Sequence, residues 1–250
     1  MTNLTHTSKQ LPLDFEVRNY MGRDDFMVSA CNREAFELLD SWPHWLSFGA
    51  VIYGPKGSGK SHLARIFADK ARNLHDKPKN ITIIEAKSIN MHNVKRLFEK
   101  NEILIVENLT ADSNNEALFH LFNLFNTPEH WILFTAEKAP AQMKFALRDL
   151  QSRLNMLPCA AIAEPDDLML QMLIVKLFDD RQLKISPEIL QYIINNAPRS
   201  FDYVEQLIVE IDEISLAYQT SVTYSVVRKA MSVLAERNQR EPDLFDDFLL

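Results

Sequence analysis

The 250-residue sequence predicts an α/β fold, a five-stranded parallel sheet flanked by helices, followed by a small all-α domain. Three observations predict it. Short apolar runs alternate with amphipathic stretches up to residue 163, the pattern of parallel strands joined by helical crossovers. The stretch Gly54-Pro55-Lys56-Gly57-Ser58-Gly59-Lys60-Ser61 reads G-x-x-x-x-G-K-S and lies between an apolar run and an amphipathic one. Beyond Glu164-Pro165-Asp166-Asp167 the pattern is helical throughout.

Residues 1–19 read as a polar tail containing Gln10-Leu11-Pro12-Leu13-Asp14-Phe15. Pro12 favours extended backbone there. Leu13 and Phe15 then either enter an apolar groove on a partner, with Gln10 as a hydrogen-bonding anchor, or pack on the chain's own body. Phe26-Met27-Val28-Ser29 is a short apolar segment, and Asn32 is placed to cap a helix through Ala35, Phe36, Leu38 and Leu39, ended by Ser41-Trp42-Pro43. Ala50-Val51-Ile52-Tyr53 is a strand, and a helix follows the glycine-rich loop to about His75. Residues 80–86 form a strand, 91–99 a helix, and 103–107 a continuous apolar strand that ends in Glu107, followed by Asn108. A helix at 114–126, a strand at 131–135, a helix at 144–156 and a short strand at 160–163 complete the pattern. Parallel sheets bind ligands at the carboxyl ends of their strands, where residues 54–61, Glu107 and Thr135 all fall. Four helices follow: about 167–181; one opened by Ser186-Pro187-Glu188, with proline at the first position; one from Arg199-Ser200-Phe201-Asp202 to about Tyr218; and one from Thr223 to Arg237. The expected division is a tail (1–19), a base (20–163), a helical domain (164–237) and an acidic C-terminal tail (238–250). Leu244, Phe245, Phe248, Leu249 and Leu250 in that last tail either dock on a partner or fold back on the body.

Residues 54–61 have the chemistry of a phosphate-binding loop, or P-loop. Glycines let the backbone wrap an anion, with successive N–H groups pointing inward at the start of a helix. Lys60 adds a positive charge for the outer phosphates, and the Ser61 hydroxyl can ligate Mg²⁺. A glycine-rich turn without a ligand is the plainer reading, but the spacing, the Lys-Ser pair and the strand-loop-helix context all point to the loop. The expected cofactors are ADP or ATP with Mg²⁺. The residues do not choose between the two nucleotides.

The composition, 46% hydrophobic and 24% charged, is that of a soluble globular protein. The two cysteines, Cys31 and Cys159, lie in apolar sequence, which suits a reducing cytoplasm and offers neither a disulfide framework nor a zinc site. The N-terminus has no signal-peptide core. The longest apolar run, 168–178, is interrupted by Gln171 and Lys176 and is too short to span a bilayer. The net charge of −7 is unevenly placed: residues 164–250 carry 8 Lys+Arg against 16 Asp+Glu, and residues 1–163 carry 19 against 18. An acidic C-terminal portion argues against its gripping DNA phosphates, though not against a protein partner that is itself on DNA.

With these pieces the chain resembles the AAA+ family, and within it the DnaA group. Phe26-Met27-Val28-Ser29 before Asn32, the stretch GPKGSGKSHL from Gly54 to Leu63, RDLQSRL from Arg148 to Leu154, and Arg199-Ser200-Phe201 carry the resemblance over roughly residues 20–235. The sequence is expected to lack the initiator's DNA-binding domain after the helical lid and its N-terminal interaction domain, which makes it similar to the Hda-type regulatory inactivators of DnaA, in alphaproteobacterial style. What the resemblance implies is an AAA+ nucleotide-binding base with a helical lid, attached to the DNA polymerase III sliding clamp through Gln10, Leu11, Leu13 and Phe15. It implies stimulated hydrolysis of ATP held by DnaA, and ADP as the inactivator's own nucleotide. Gly54 through His62 would hold the nucleotide. Arg153 matches an arginine finger acting on a neighbouring subunit; a surface ion pair is its plainer reading. Arg199 matches the lid arginine that senses phosphates; pairing with Asp202 is the alternative. Thr135 matches the polar sensor at the end of the fourth strand, with Glu137 as the other candidate and an ordinary strand role as the plain reading. Phe26 and Val28 line the adenine site or belong to the core. A finger implies some neighbour, a homo-oligomer among the options.

The sequence departs from the family where the third strand ends. Asp followed by a second acid is expected there, and Glu107-Asn108 stands instead. Glu107 can still serve Mg²⁺ through a longer arm. Asn108 cannot accept a proton and can only orient a water. Weak or absent intrinsic hydrolysis is therefore expected. Three functions stay open: a regulatory adaptor for DnaA, an active ATPase working as a loader or remodeller, and a nucleotide-dependent scaffold. A small-molecule phosphotransferase fits the lid arginine and Ser152-Arg153 poorly.

Overall fold

The computed structural model of the protein describes residues 27–73 and 79–240. The motif at Gln10, Leu11, Leu13 and Phe15, Phe26, and the acidic tail from residue 241 lie outside the described residues.

Five strands, β1 (Gly49–Tyr53), β2 (Ile81–Glu85), β3 (Ile103–Leu109), β4 (Trp131–Ala136) and β5 (Cys159–Ala161), form one sheet in the order β2-β3-β4-β1-β5. Every pairing is parallel. The helices between them are α1 (Arg33–Asp40), α2 (Lys60–Asn73), α3 (Val94–Lys100), α4 (Asn115–Phe125) and α5 (Arg148–Asn155). Because strand side chains alternate, the sheet feeds two cores. Val51, Leu104, Val106, Ile132 and Phe134 pack with Leu121 and Phe122 of α4 and Leu150 and Leu154 of α5. Ala50, Ile52, Ile103, Ile105 and Leu133 pack on the other face with Phe36 of α1 and Leu63 and Phe67 of α2.

The helical region contains α6 (Asp167–Asp180), α7 (Pro187–Asn196), α8 (Phe201–Tyr218) and α9 (Tyr224–Arg240) around a third core that includes Ile174, Phe178, Ile193, Leu207, Ile208, Ile211 and Val227. Three of its helix starts carry a side-chain cap, two of them at the openings read from the sequence at Ser186 and Ser200. The side chains of Asp166, Ser186 and Ser200 accept from the N–H groups of Met169 (2.7 Å), Ile189 (3.4 Å) and Tyr203 (3.3 Å). Met27 packs against this core although it precedes the sheet in sequence.

Three expectations are corrected. Asn32 stands at the start of α1 but makes no side-chain cap; it turns back, accepting from Ser29 N (2.9 Å) and donating to Met27 O (2.9 Å). It therefore fixes the entering segment rather than the helix. The helix expected at 144–156 begins only at Arg148. The preceding segment is tied instead by Gln151, which accepts from Phe145 N (3.2 Å) and donates to Pro140 O (2.8 Å). Cys31 is buried, but Cys159 on the edge strand β5 is exposed. Among the described residues no helix is long and apolar enough to cross a membrane, and no group of His, Cys, Asp and Glu is assembled to hold a metal ion.

Candidate functional site

The phosphate-loop sequence leaves the end of β1 and turns into α2 through two left-handed glycines, Gly57 (φ 73°) and Gly59 (φ 89°). Gly54 is fixed by close approach: a Cβ there would lie 2.0 Å from Ile162 O, and its N–H donates to Ala136 O (3.1 Å). Lys60 is only 7% exposed and folds back over the loop, donating to Gly54 O (2.8 Å) and Pro55 O (2.7 Å). Burial pushes its pKa down from the ordinary lysine value, while the carboxylates of Glu137 and Asp202 push it back up. The Ser58 hydroxyl is buried without a hydrogen-bond partner among the described residues.

The helical region closes over this loop. The N–H of Phe201 donates to Gly57 O (2.9 Å), and the Ser200 hydroxyl oxygen lies 2.1 Å from where a Gly57 side chain would begin. Between the two regions lies a cavity of about 470 Å³. Lys56, Gly57, Gly59, Lys60, Ser61 and His62 line it from the loop; Met169, Leu173, Leu177, Phe201, Asp202 and Glu205 line it from the helices. The loop gives it a polar, cationic side, and α6 adds Met169, Leu173 and Leu177 beside Lys176 and Asp180, a lining that suits a ligand with an anionic group and an apolar part.

The strand ends supply further groups. Asn108 lines the cavity in a left-handed conformation (φ 57°), beside a register irregularity between Val106 and Leu109. Its N–H donates to the Thr135 hydroxyl (3.1 Å), and its side-chain nitrogen donates to both oxygens of Glu85 (3.2 and 3.1 Å). Glu107 does not line the cavity; it is half-buried, and its Oε1 is buried with no hydrogen-bond partner among the described residues. Thr135 is fully buried and does not line the cavity, whereas Glu137 does; the placement of the two sensor candidates is thus the reverse of the sequence expectation.

Two other expected residues are not brought to the cavity. Val28 is 38% exposed, and its neighbour Met27 lines the cavity instead. Arg199 pairs with Asp167 (2.6 Å), not Asp202, and donates to Pro165 O (3.4 Å). Arg153 also lies elsewhere, on the face of the sheet that carries α4 and α5. Its guanidinium sits over the rings of Phe119 (4.9 Å to the centroid) and Phe122 (5.8 Å). Sequence reasoning missed Arg65, Lys176, Asp180 and Glu205, all of which line the cavity. The helical period at 167–181 places Leu173, Lys176, Leu177 and Asp180 on one face, and that was the available signal.

Residues 18–159, more than half of the chain, match the family described as the Bacterial DnaA ATPase domain. The chain belongs to that family. That membership makes it an AAA+, DnaA-related protein, and its sheet and helices are those of an α/β fold. The DnaA-family relatives include the chromosomal replication initiator protein DnaA of Aliarcobacter butzleri, 22% identical over an alignment of 241 residues that covers 89% of this chain and 55% of that protein. An uncharacterized protein of Haemophilus influenzae is 24% identical over 240 residues, 90% of this chain and 100% of that one. The chain spans about half the length of the DnaA relatives it matches. Among solved structures, domain III of Thermotoga maritima DnaA aligns with a TM-score of 0.72 at 16% identity, covering 84% of this chain and 94% of that one. AMPPCP-bound DnaA from Aquifex aeolicus aligns with a TM-score of 0.67 at 17% identity, covering 91% of this chain and 74% of that one. At these identities the structural likeness establishes the fold.

Proposed function

We propose that this DnaA-family chain is a nucleotide-bound regulator of chromosome replication initiation, tethered to the sliding clamp and offering Arg153 to ATP held by DnaA. The carrying observation is the separation of two sites. The chain's own cavity presents Asn108 where a proton acceptor would stand, while Arg153 is oriented on an aromatic shelf outside that cavity. A nucleotide, ADP or ATP, in the cavity is supported by the loop's inward-facing helix start, the orphaned Ser58 hydroxyl and the AMPPCP bound by the Aquifex relative. Of the donors expected for Mg²⁺, Ser61 lines the cavity, and Glu107, which does not, has a buried carboxylate oxygen with no hydrogen-bond partner among the described residues. When bound, the ion would neutralise phosphate charge. Lys60 holds the outer phosphates, Met27 and the α6 residues take the base, and Asn108 orients a water. Arg199 joins as the lid arginine only by exchanging Asp167 for phosphate. The division into base (20–163) and lid (164–237) belongs to this proposal.

A scaffold reading is favoured by one observation, the contacts of Arg153 with Phe119 and Phe122, which give that side chain a structural role of its own. Hydrolysis of DnaA-bound ATP in the presence of clamp separates the two: Arg153→Ala abolishes stimulation under the regulator reading and leaves it unchanged under the scaffold reading. Clamp pull-down tests the tether, with Leu13→Ala plus Phe15→Ala expected to lose binding. Retained binding would remove the tether from the proposal. An active loader or remodeller is the remaining alternative; turnover by the purified chain at ordinary ATPase rates would favour it.

A further inference from the structure

Asn108 is held from three strands. Its backbone belongs to β3, its N–H is bound by Thr135 of β4, and its side-chain nitrogen is bound by Glu85 at the end of β2. The last contact decides how the carboxamide faces. An ionised carboxylate only accepts hydrogen bonds. The opposite amide orientation would set the Asn108 oxygen against both oxygens of Glu85 at separations near 3.1 and 3.2 Å, where they repel. With the nitrogen turned to Glu85, the carbonyl oxygen is turned away from it and is the acceptor left for the cavity that Asn108 lines; one N–H of the carboxamide stays outside the pairing with Glu85.

We propose that Glu85 is a positioning residue that turns the carbonyl oxygen of Asn108, its acceptor, toward the cavity. This inference rests on the reading that a nucleotide occupies that cavity. An acceptor is what an ionised acid would also present there, so the Glu85–Asn108 pair supplies one of an acid's hydrogen-bond acceptors without its basicity. A water at this acceptor is oriented but not deprotonated. If it attacks a triphosphate, its oxygen bonds to the terminal phosphorus, the bond from that phosphorus to the bridging oxygen breaks, and the diphosphate leaves with that electron pair. The water's proton departs on the inorganic phosphate, because a carboxamide does not take it. Glu85 takes part in none of these bond changes and is not among the residues lining the cavity. It acts by choosing which atom of Asn108 faces the water. The left-handed backbone at Asn108, costly for most side chains but tolerated by asparagine, suits a position held for this purpose.

Two measurements on the full chain test this. In ¹⁵N NMR the side-chain amide pair of Asn108, assigned by its loss in Asn108→Asp, is expected to shift on Glu85→Gln, since glutamine permits both amide orientations. Unchanged resonances overturn the proposal. Single-turnover ATP hydrolysis with protein in excess gives the second readout. In the Asn108→Asp background two carboxylates face each other, so adding Glu85→Gln is expected to raise the rate about tenfold, the scale of one charged hydrogen bond. A fall, or no change, overturns it, because a residue that only supports the fold gives no gain. If Asn108→Asp turns over too slowly to read, the resonance shift decides. Binding of a fluorescent ATP analogue to the wild-type chain is measured alongside. Absence of binding removes the nucleotide reading, while the amide resonance of the free protein still reports whether Glu85 holds Asn108.

Discussion

Lys60 and Arg153 are held in opposite ways. Lys60 opens α2 on one face of the sheet, 7% exposed, wrapped onto the carbonyls of Gly54 and Pro55 and balanced by nearby Glu137 and Asp202. Arg153 lies on the other face, half-buried on α5, its planar guanidinium over the rings of Phe119 and Phe122. A buried ammonium serves only a ligand that enters its own cavity, since burial disfavours its charge without one. A guanidinium stacked on aromatic rings is oriented at little desolvation cost and keeps edge donors for something outside. The contrast teaches that this chain separates retaining a phosphate from presenting a cation to one.

The sharpest break of that contrast is at Arg153. Under the proposed function, Arg153→Ala lowers stimulated hydrolysis of DnaA-bound ATP by about 10³-fold, the lower end of an arginine finger's effect, while nucleotide retention by the chain itself is unchanged. Loss of retention in that variant would show that the two cations are not separate. Lys60→Ala does the reverse first: nucleotide affinity, measured by titration calorimetry, falls roughly 100-fold, as expected for removing a charged donor from a phosphate site. Equal affinity would displace the phosphate from the loop. Gly57→Ala has the smallest effect and sharpens the picture of how the lid sits on the loop. A side chain there meets the Ser200 hydroxyl and a left-handed backbone, so thermal unfolding should report about 1–2 kcal/mol lost. An unaltered midpoint would mean that the contact of Phe201 with Gly57 adds nothing to stability.

Much of the fold is legible in the sequence because its signals are local. Continuous apolar runs read as buried strands, and Ser186-Pro187 and Arg199-Ser200 read as helix openings since a helix start is written in a few neighbouring residues. The departure at Asn108 is also legible, being a matter of residue type at the end of a strand. The sensor choice is not. The irregularity between Val106 and Leu109 changes how β3 meets β4, and with it Thr135 turns to the Asn108 N–H while Glu137 reaches the cavity. Arg199 escapes for the same reason: Asp202 is its neighbour in sequence, but α6 brings Asp167 within 2.6 Å.

The sequence by itself determined the alternation of strands and helices, the phosphate loop, the capped helices of the lid and the absence of a carboxylate at position 108. Each of these is written in periodicity or in residue type over a few neighbouring positions. Only the tertiary structure decided that Met27 rather than Val28 faces the cavity, that Glu85 of one strand orients Asn108 of the next, and that Arg153 rests on Phe119 and Phe122 of another helix. The contacts lie between side chains 23 to 34 positions apart, Glu85 with Asn108 at 23 and Arg153 with Phe119 at 34, and the choice of Met27 over Val28 is one between adjacent residues. Such choices are fixed by how strands register and helices pack, which no short stretch of sequence encodes.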